Sequence, residues 1–226
     1  MPFDLVIYDC DGTLIDSETL YSEVSLVLCH EIGLTQWTVE DYNANLIGIP
    51  LVDGFKVIEA ALGRPLPPDF EDRIEDGVAA RLEAELRALP GVHEALSVLA
   101  GRRCVASSTS LEPLRRNLGL AGLLDLFDPH VFSASQVARG KPAPDVFLFA
   151  AAQMGAEPGR CLVLEDSVPG VQAARAAGMQ VAGFTGTAHD KERVRQRLMA
   201  AGAAAVIDDY REWPGEAARL AGIQAL

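Results

Sequence analysis

The sequence predicts an open, doubly wound α/β fold on a parallel sheet, with a small helical domain inserted after the first strand. Three observations predict it. Short apolar runs alternate with helix-length amphipathic segments along most of the chain. The alternation is interrupted from about Ser17 to Arg87, where apolar residues fall only at helical spacing. Polar residues close three of the apolar runs, at the carboxyl ends where an open α/β sheet gathers its ligands.

The first strand is read over Leu5 to Tyr8. In the interrupted stretch, Leu20, Val24, Val27 and Leu28, then Val57, Ile58, Ala61 and Leu62, then Ile74, Val78 and Leu82 mark helical faces. Gly33, Gly48, Gly63 and the Pro65 to Pro68 stretch punctuate it into about four helices. Residues 17–87 are therefore expected to form an inserted cap, and residues 1–16 and 88–226 the α/β core. An insertion that leaves a strand end is placed to act as a lid. In the core, helices are expected over Val92–Leu99, Glu112–Leu118, Ala143–Met154, Val168–Ala177 and Asp190–Ala200. Between them lie strands at Cys104–Ala106, Val131 and Phe132, Cys161–Leu164, Val181–Phe184, and Val206 with Ile207.

Nearly half the residues are hydrophobic, so a sizeable core can be buried. The formal net charge of -13 argues against a nucleic-acid partner, which asks for a basic face, and against an anionic membrane surface. No apolar stretch approaches membrane-spanning length. The first residues lack a basic leader, so no signal peptide is expected. Cys10, Cys29, Cys104 and Cys161 form no CxxC pair and read as reduced, buried thiols of a cytoplasmic protein. His30, His93, His130 and His189 match no ligand spacing. A monomer is the default expectation.

The first strand runs straight into Asp9, with Asp11 two residues on and Gly12 permitting a sharp exit. In extended chain that spacing sets both acids on one side. Two such acids repel unless a cation lies between them, and hard oxygen ligands suit Mg²⁺; a solvated turn reads equally well from these residues alone. The run at Cys161 ends in Glu165 and Asp166, followed by Ser167 as a helix cap. Capping explains the serine but not the two acids before it. The run at Cys104 ends in Ser107 and Ser108 before a helix, which suits an anion or simple capping. Lys141 stands between Gly140 and Pro142, where prolines stiffen the backbone; it is either a surface lysine or a point charge that serves carboxylate and phosphoryl groups together.

Taken in order, Asp9-Cys10-Asp11-Gly12-Thr13-Leu14 with Asp16-Ser17-Glu18, then Ser107, Lys141-Pro142-Ala143-Pro144 and Glu165-Asp166-Ser167 resemble the haloacid dehalogenase (HAD) superfamily. The resemblance is to its β-phosphoglucomutase-like phosphatases with a small helical cap, and it covers essentially the whole chain. It implies a Mg²⁺-dependent phosphatase acting on a small phosphorylated metabolite. Asp9 would be the nucleophile, forming an aspartyl-phosphate, and Asp11 the general acid and base. Lys141, Ser107 and Ser108 would stabilise the phosphoryl charge. Asp9, Asp166 and the backbone carbonyl of Asp11 would hold the metal, with Glu165 a ligand or an anchor behind it. Cys10 would face away from the metal. Dehalogenation is disfavoured by Asp11 and the acidic pair; phosphonatase chemistry would ask for a Schiff-base lysine in the cap, where the one lysine, Lys56, falls in a helical pattern and reads as part of a solvated face. The alternative is a sugar phosphomutase. Where those mutases place His and Arg in the cap, this chain has Tyr21, and Leu51 after Gly48-Ile49-Pro50. Glu18, Tyr21, Asn45 and Lys56 are cap positions that could touch substrate, or simply surface and packing residues.

Overall fold

The computed structural model describes residues 3–46, 51–99 and 101–222. The chain divides into two compact units, one of Met1–Asp16 with Arg87–Leu226 and one of Ser17–Leu86.

The first unit is built on six parallel strands: β1 (Leu5–Tyr8), β2 (Arg103–Ser107), β3 (Val131–Ser133), β4 (Cys161–Glu165), β5 (Gln180–Phe184) and β6 (Ala205–Ile207). Their order across the sheet is β3-β2-β1-β4-β5-β6. This is the doubly wound order, with its reversal between β1 and β4, and sheets of this kind bind their ligands there, beyond the strands' carboxyl ends. Both faces of the sheet are covered, so every residue of β1 is buried. One side of the core gathers Ile7, Cys104, Val146, Phe147, Val163, Val171 and Val181. Tyr8 is opposite Val105 on one side and Leu164 on the other. Asp9 therefore leaves the sheet beside the ends of β2 and β4.

Seven helices serve this unit: α5 (Val92–Val98), α6 (Leu111–Leu120), α7 (Leu124–Phe127), α8 (Asp145–Gln153), α9 (Val168–Ala176), α10 (Lys191–Ala201) and α11 (Trp213–Leu220), among the described residues. Two differ from expectation by their presence. The α7 helix is a single turn, too short to show a period. The α11 helix opens on Trp213-Pro214-Gly215, which reads as a turn, and is held by burial of Trp213, whose Nε1–H donates to the Tyr8 hydroxyl at 3.0 Å. The α8 helix starts at Asp145 rather than Ala143, because Ala143 precedes Pro144 and is pushed from helical backbone. Strands β2 and β4 run on to Ser107 and Glu165, since Ser107 pairs with Ser133 and Glu165 with Gly183.

The second unit holds α1 (Ser17–Glu31), α2 (Val39–Leu46), α3 (Leu51–Leu62) and α4 (Phe70–Glu85), with no strand among its described residues. Phe70, Ile74, Val78 and Leu82 bury one face of α4 at four-residue spacing. At Gly77 a Cβ would fall 2.8 Å from Val24 Cγ1, so the missing side chain lets α4 approach α1. Val27, read from sequence as part of the apolar face of α1, is 57% exposed. Gly48-Ile49-Pro50 and the side chain of Leu51 lie outside the described residues.

Candidate active site

The side chain of Lys141 is almost wholly buried, at 4% exposure, and its ammonium touches β2, β4 and the residue just past β1. It donates to Asp9 Oδ1 at 2.5 Å, to Glu165 Oε1 at 2.7 Å and to the Ala106 carbonyl at 3.1 Å. Three donors meet three acceptors, which a buried ammonium needs. The Phe147 ring flanks it, 4.9 Å from Nζ to the centroid. Burial works to lower the Lys141 pKa, but Asp9 and Glu165 outweigh it and hold the lysine above its ordinary range. Burial pushes Asp9 up to about 7; Lys141 opposes this and the charge of Glu165 adds to it.

Glu165 is fully buried and has both oxygens engaged. Oε1 faces Lys141, and Oε2 accepts from the Ser167 amide and hydroxyl, each at 2.8 Å. Ser167 also caps α9, accepting from the Gly170 amide at 3.1 Å. A Cβ at Gly170 would fall 1.7 Å from Glu165 Oε1, so this turn of α9 must be bare for the carboxylate to fit. Asp166 is half-buried and lies against the turn after β1. A Cβ at Gly12 would fall 2.1 Å from Asp166 Oδ2, and Gly12 has φ +76°, so glycine is required twice over. Thr13 Oγ1 donates to Asp166 Oδ1 at 3.4 Å.

The Asp11 charge acts on Asp9, but its carboxylate is not grouped with those of Asp9, Glu165 and Asp166. The strand ends at Tyr8 and a tight turn follows, so extended spacing no longer governs the directions of Asp9 and Asp11. The Asp11 carboxylate turns toward the end of β2, where Oδ2 accepts from Thr109 Oγ1 at 2.7 Å and from Ser107 Oγ at 3.5 Å. Ser107 is buried and accepts from the Thr109 amide at 3.0 Å. Ser108 is exposed, and α6 begins only at Leu111, so neither serine caps that helix. Thr109 was not singled out in the sequence, where nothing distinguishes it from its three hydroxyl neighbours.

Cys10 is fully buried. Glu18 lies exposed in the first turn of α1. Tyr21 is half-buried in the second unit, and burial pushes its hydroxyl up to about 12 with Tyr42, Glu75 and Glu71 adding. Asn45 is exposed and donates to the Asp41 carbonyl at 2.7 Å. Lys56 is exposed and pairs with Asp53 at 2.8 Å. All four cysteines are free and buried.

Side-chain oxygens of Asp9, Glu165 and Asp166 lie within 4.8 Å of one another. The single ammonium of Lys141 answers two of these acids at once, so the group holds more negative charge than that lysine balances. A small divalent cation with a preference for hard oxygen donors, such as Mg²⁺, fits this set. With both Glu165 oxygens engaged, Asp9 and Asp166 are the side chains best placed to meet it. The Asp11 carboxylate is not in the group.

A family model for haloacid dehalogenase-like hydrolases matches residues 3–178. The 6-phosphogluconate phosphatase of Escherichia coli is 29% identical over 196 residues, covering 86% of this chain and 88% of that protein. The phosphorylated carbohydrates phosphatase of Thermotoga maritima is 31% identical over 209 residues, covering 90% of this chain and 94% of its own. A solved HAD family hydrolase from Deinococcus radiodurans, with bound phosphate and sodium, superposes at TM-score 0.87 with 32% identity, over 98% of this chain and 97% of the other.

Proposed function

The chain belongs to the haloacid dehalogenase-like hydrolase family, and from that premise we propose that it is a Mg²⁺-dependent phosphatase of a small phosphomonoester, such as a sugar, polyol or sugar-acid phosphate, with Asp9 as nucleophile. The observation that carries this reading is the buried Lys141 bridging Asp9 and Glu165, with Asp166 beside them. Lys141 donates to Asp9 Oδ1, which supports Oδ2 as the attacking oxygen. In the first step Oδ2 bonds to phosphorus, the ester P–O bond breaks, and Asp11 gives its proton to the leaving alkoxide. In the second step water attacks the aspartyl-phosphate while Asp11 takes the proton back, and inorganic phosphate leaves with Asp9 restored. Glu165 anchors Lys141, and Thr109 with Ser107 steers Asp11. Mg²⁺, held by Asp9 and Asp166 with the Asp11 carbonyl, would supply positive charge to the phosphoryl oxygens.

The cap composition favours a substrate with one phosphate. Residues 17–86 carry fourteen acids and four bases. Lys56 pairs with Asp53, Arg73 with Glu31 and Arg81 with Glu23 and Glu85, while Arg64 donates to the Ile32 carbonyl. Three of the four cap cations are thus paired with acids of their own unit, whereas a mutase would need cap cations to hold a second phosphate. The test is phosphate release from a panel of sugar, polyol and glycolate phosphates, with and without Mg²⁺. Release that requires the ion and disappears in Asp9→Asn is expected. Undiminished turnover in that variant would refute the assignment, and interconversion of glucose phosphates without net release would identify a mutase.

A further inference from the structure

We propose that Thr187 and Tyr210 are positioning residues for Asp166, each holding one carbonyl of the turn that bears on its carboxylate. In that turn the amides of Thr13, Leu14 and Ile15 all converge on the Cys10 carbonyl, at 3.2, 2.7 and 3.1 Å. The carbonyls of Gly12 and Thr13 are met from the far end of the chain. Thr187 Oγ1, just past β5, donates to Gly12 O at 3.2 Å. The Tyr210 hydroxyl, just past β6, donates to Thr13 O at 2.7 Å. Both residues lie beyond residue 178, where the family match ends.

The two held residues touch opposite oxygens of Asp166. Gly12 backs directly onto Oδ2, and Thr13 Oγ1 donates to Oδ1. Moving either carbonyl therefore moves a wall of the Asp166 carboxylate. The bracket has its own support. A Cβ at Gly186 would fall 2.1 Å from Phe184 Cζ, so the chain turns tightly over that ring to bring Thr187 back. The Phe184 ring in turn packs on Tyr210, with centroids 5.0 Å apart. Tyr210 is fully buried and Thr187 half-buried, so the threonine can be altered with little effect on the core.

The inference rests on Asp166 as an ion ligand, as read above. Its test titrates Mg²⁺ alone, by calorimetry, into the native chain, Thr187→Val, Thr187→Ser and Tyr210→Phe, and follows kcat and KM for the best substrate. Thr187→Val is expected to weaken Mg²⁺ binding and lower kcat by about tenfold, the usual scale for a residue behind a ligand. KM is expected to change by less than about twofold, because the substrate's own contacts remain. Thr187→Ser keeps the hydroxyl and is expected to restore both. Tyr210→Phe is expected to move Mg²⁺ affinity and kcat the same way, with a lower melting temperature. Amide exchange of Gly12 to Ile15 in metal-free protein is expected to quicken in Thr187→Val, a readout that needs neither ion nor substrate. Native-like Mg²⁺ affinity and kcat in Thr187→Val overturn the proposal, as do a change in KM alone, unaltered exchange, or failure of the serine to restore. If the native chain hydrolyses phosphate esters with Mg²⁺ while Thr187→Val matches it, this inference falls and the phosphatase reading stands; if the native chain binds no Mg²⁺, that reading is what fails.

Discussion

Lys141 holds its charge in a nearly dry site because every hydrogen of its ammonium has an acceptor and two of those acceptors are acids. Removing that charge leaves Asp9 and Glu165 buried beside each other. Lys141→Met keeps an apolar stem against Phe147, so the loss reads the charge rather than the packing. It is expected to cost about 3–5 kcal/mol, the scale for breaking one side of a buried ion pair. Urea denaturation measures it, and adding Glu165→Gln to the same chain is expected to return part of the loss; a neutral single variant would count against the bridge. The acids make a second test. Mg²⁺ is expected to raise the melting temperature, by about 2.7 kcal/mol of added stability at a hundred times its Kd. Asp166→Asn is expected to remove most of that gain; an equal gain in the variant would detach Asp166 from the ion. At this scale the structure brings together four residues that the sequence had singled out, Asp9, Glu165 and Asp166 as acids that close apolar strands and Lys141 by its glycine and proline flanks. The sequence was silent on Thr109, since one hydroxyl among Ser107, Ser108, Thr109 and Ser110 has no mark until the fold turns Asp11 toward it.

Strand runs are the most legible elements, and α9 shows where legibility stops. Buried parallel strands are short and continuously apolar, so β1 and β4 could be read almost to the residue. The helix after β4 was legible too, with Ser167 as its cap. What the sequence concealed is why its third residue is glycine. By propensity alone, Gly170→Ala would stabilise this helix by about 1 kcal/mol. The geometry reverses the sign, since the new Cβ would fall inside the Glu165 carboxylate, 1.7 Å from Oε1. Gly170→Ala is therefore expected to destabilise by about 1–3 kcal/mol, the range for overpacking a filled interior. It is also expected to lower phosphate release, because Glu165 can yield only by moving Lys141. Thermal melting and kcat measured together decide it, and a more stable, fully active variant would mean that the carboxylate has room to spare. The α11 helix was illegible for a different reason. Its Trp-Pro-Gly start looks like a turn, and only burial of Trp213 against Tyr8 makes it a helix.

Charge is spread unevenly over the whole molecule. Of 32 acids and 19 bases, fourteen acids but only four bases fall within residues 17–86. Lys56 pairs with Asp53, Arg73 with Glu31 and Arg81 with Glu23 and Glu85, while Arg64 donates to the Ile32 carbonyl and keeps its charge, so the second unit carries a large excess of acids. A field of this sign acts over about a Debye length, roughly 8 Å at physiological salt. The chain's formal net charge of -13 has the same sign, and a substrate whose only charge is one phosphate meets the least repulsion from it. A substrate with a second anionic group meets more. Selectivity is therefore expected to follow charge: kcat/KM for a hexose or polyol monophosphate should exceed that for a sugar bisphosphate by about tenfold or more, equivalent to about 1.4 kcal/mol. A sugar-acid phosphate, with one extra carboxylate, should fall between. Raising the salt concentration is expected to narrow these gaps by helping the more anionic substrates most. Steady-state kinetics at two ionic strengths check both parts. Equal kcat/KM across the three classes, or gaps that ignore salt, would show that shape rather than charge sets the choice.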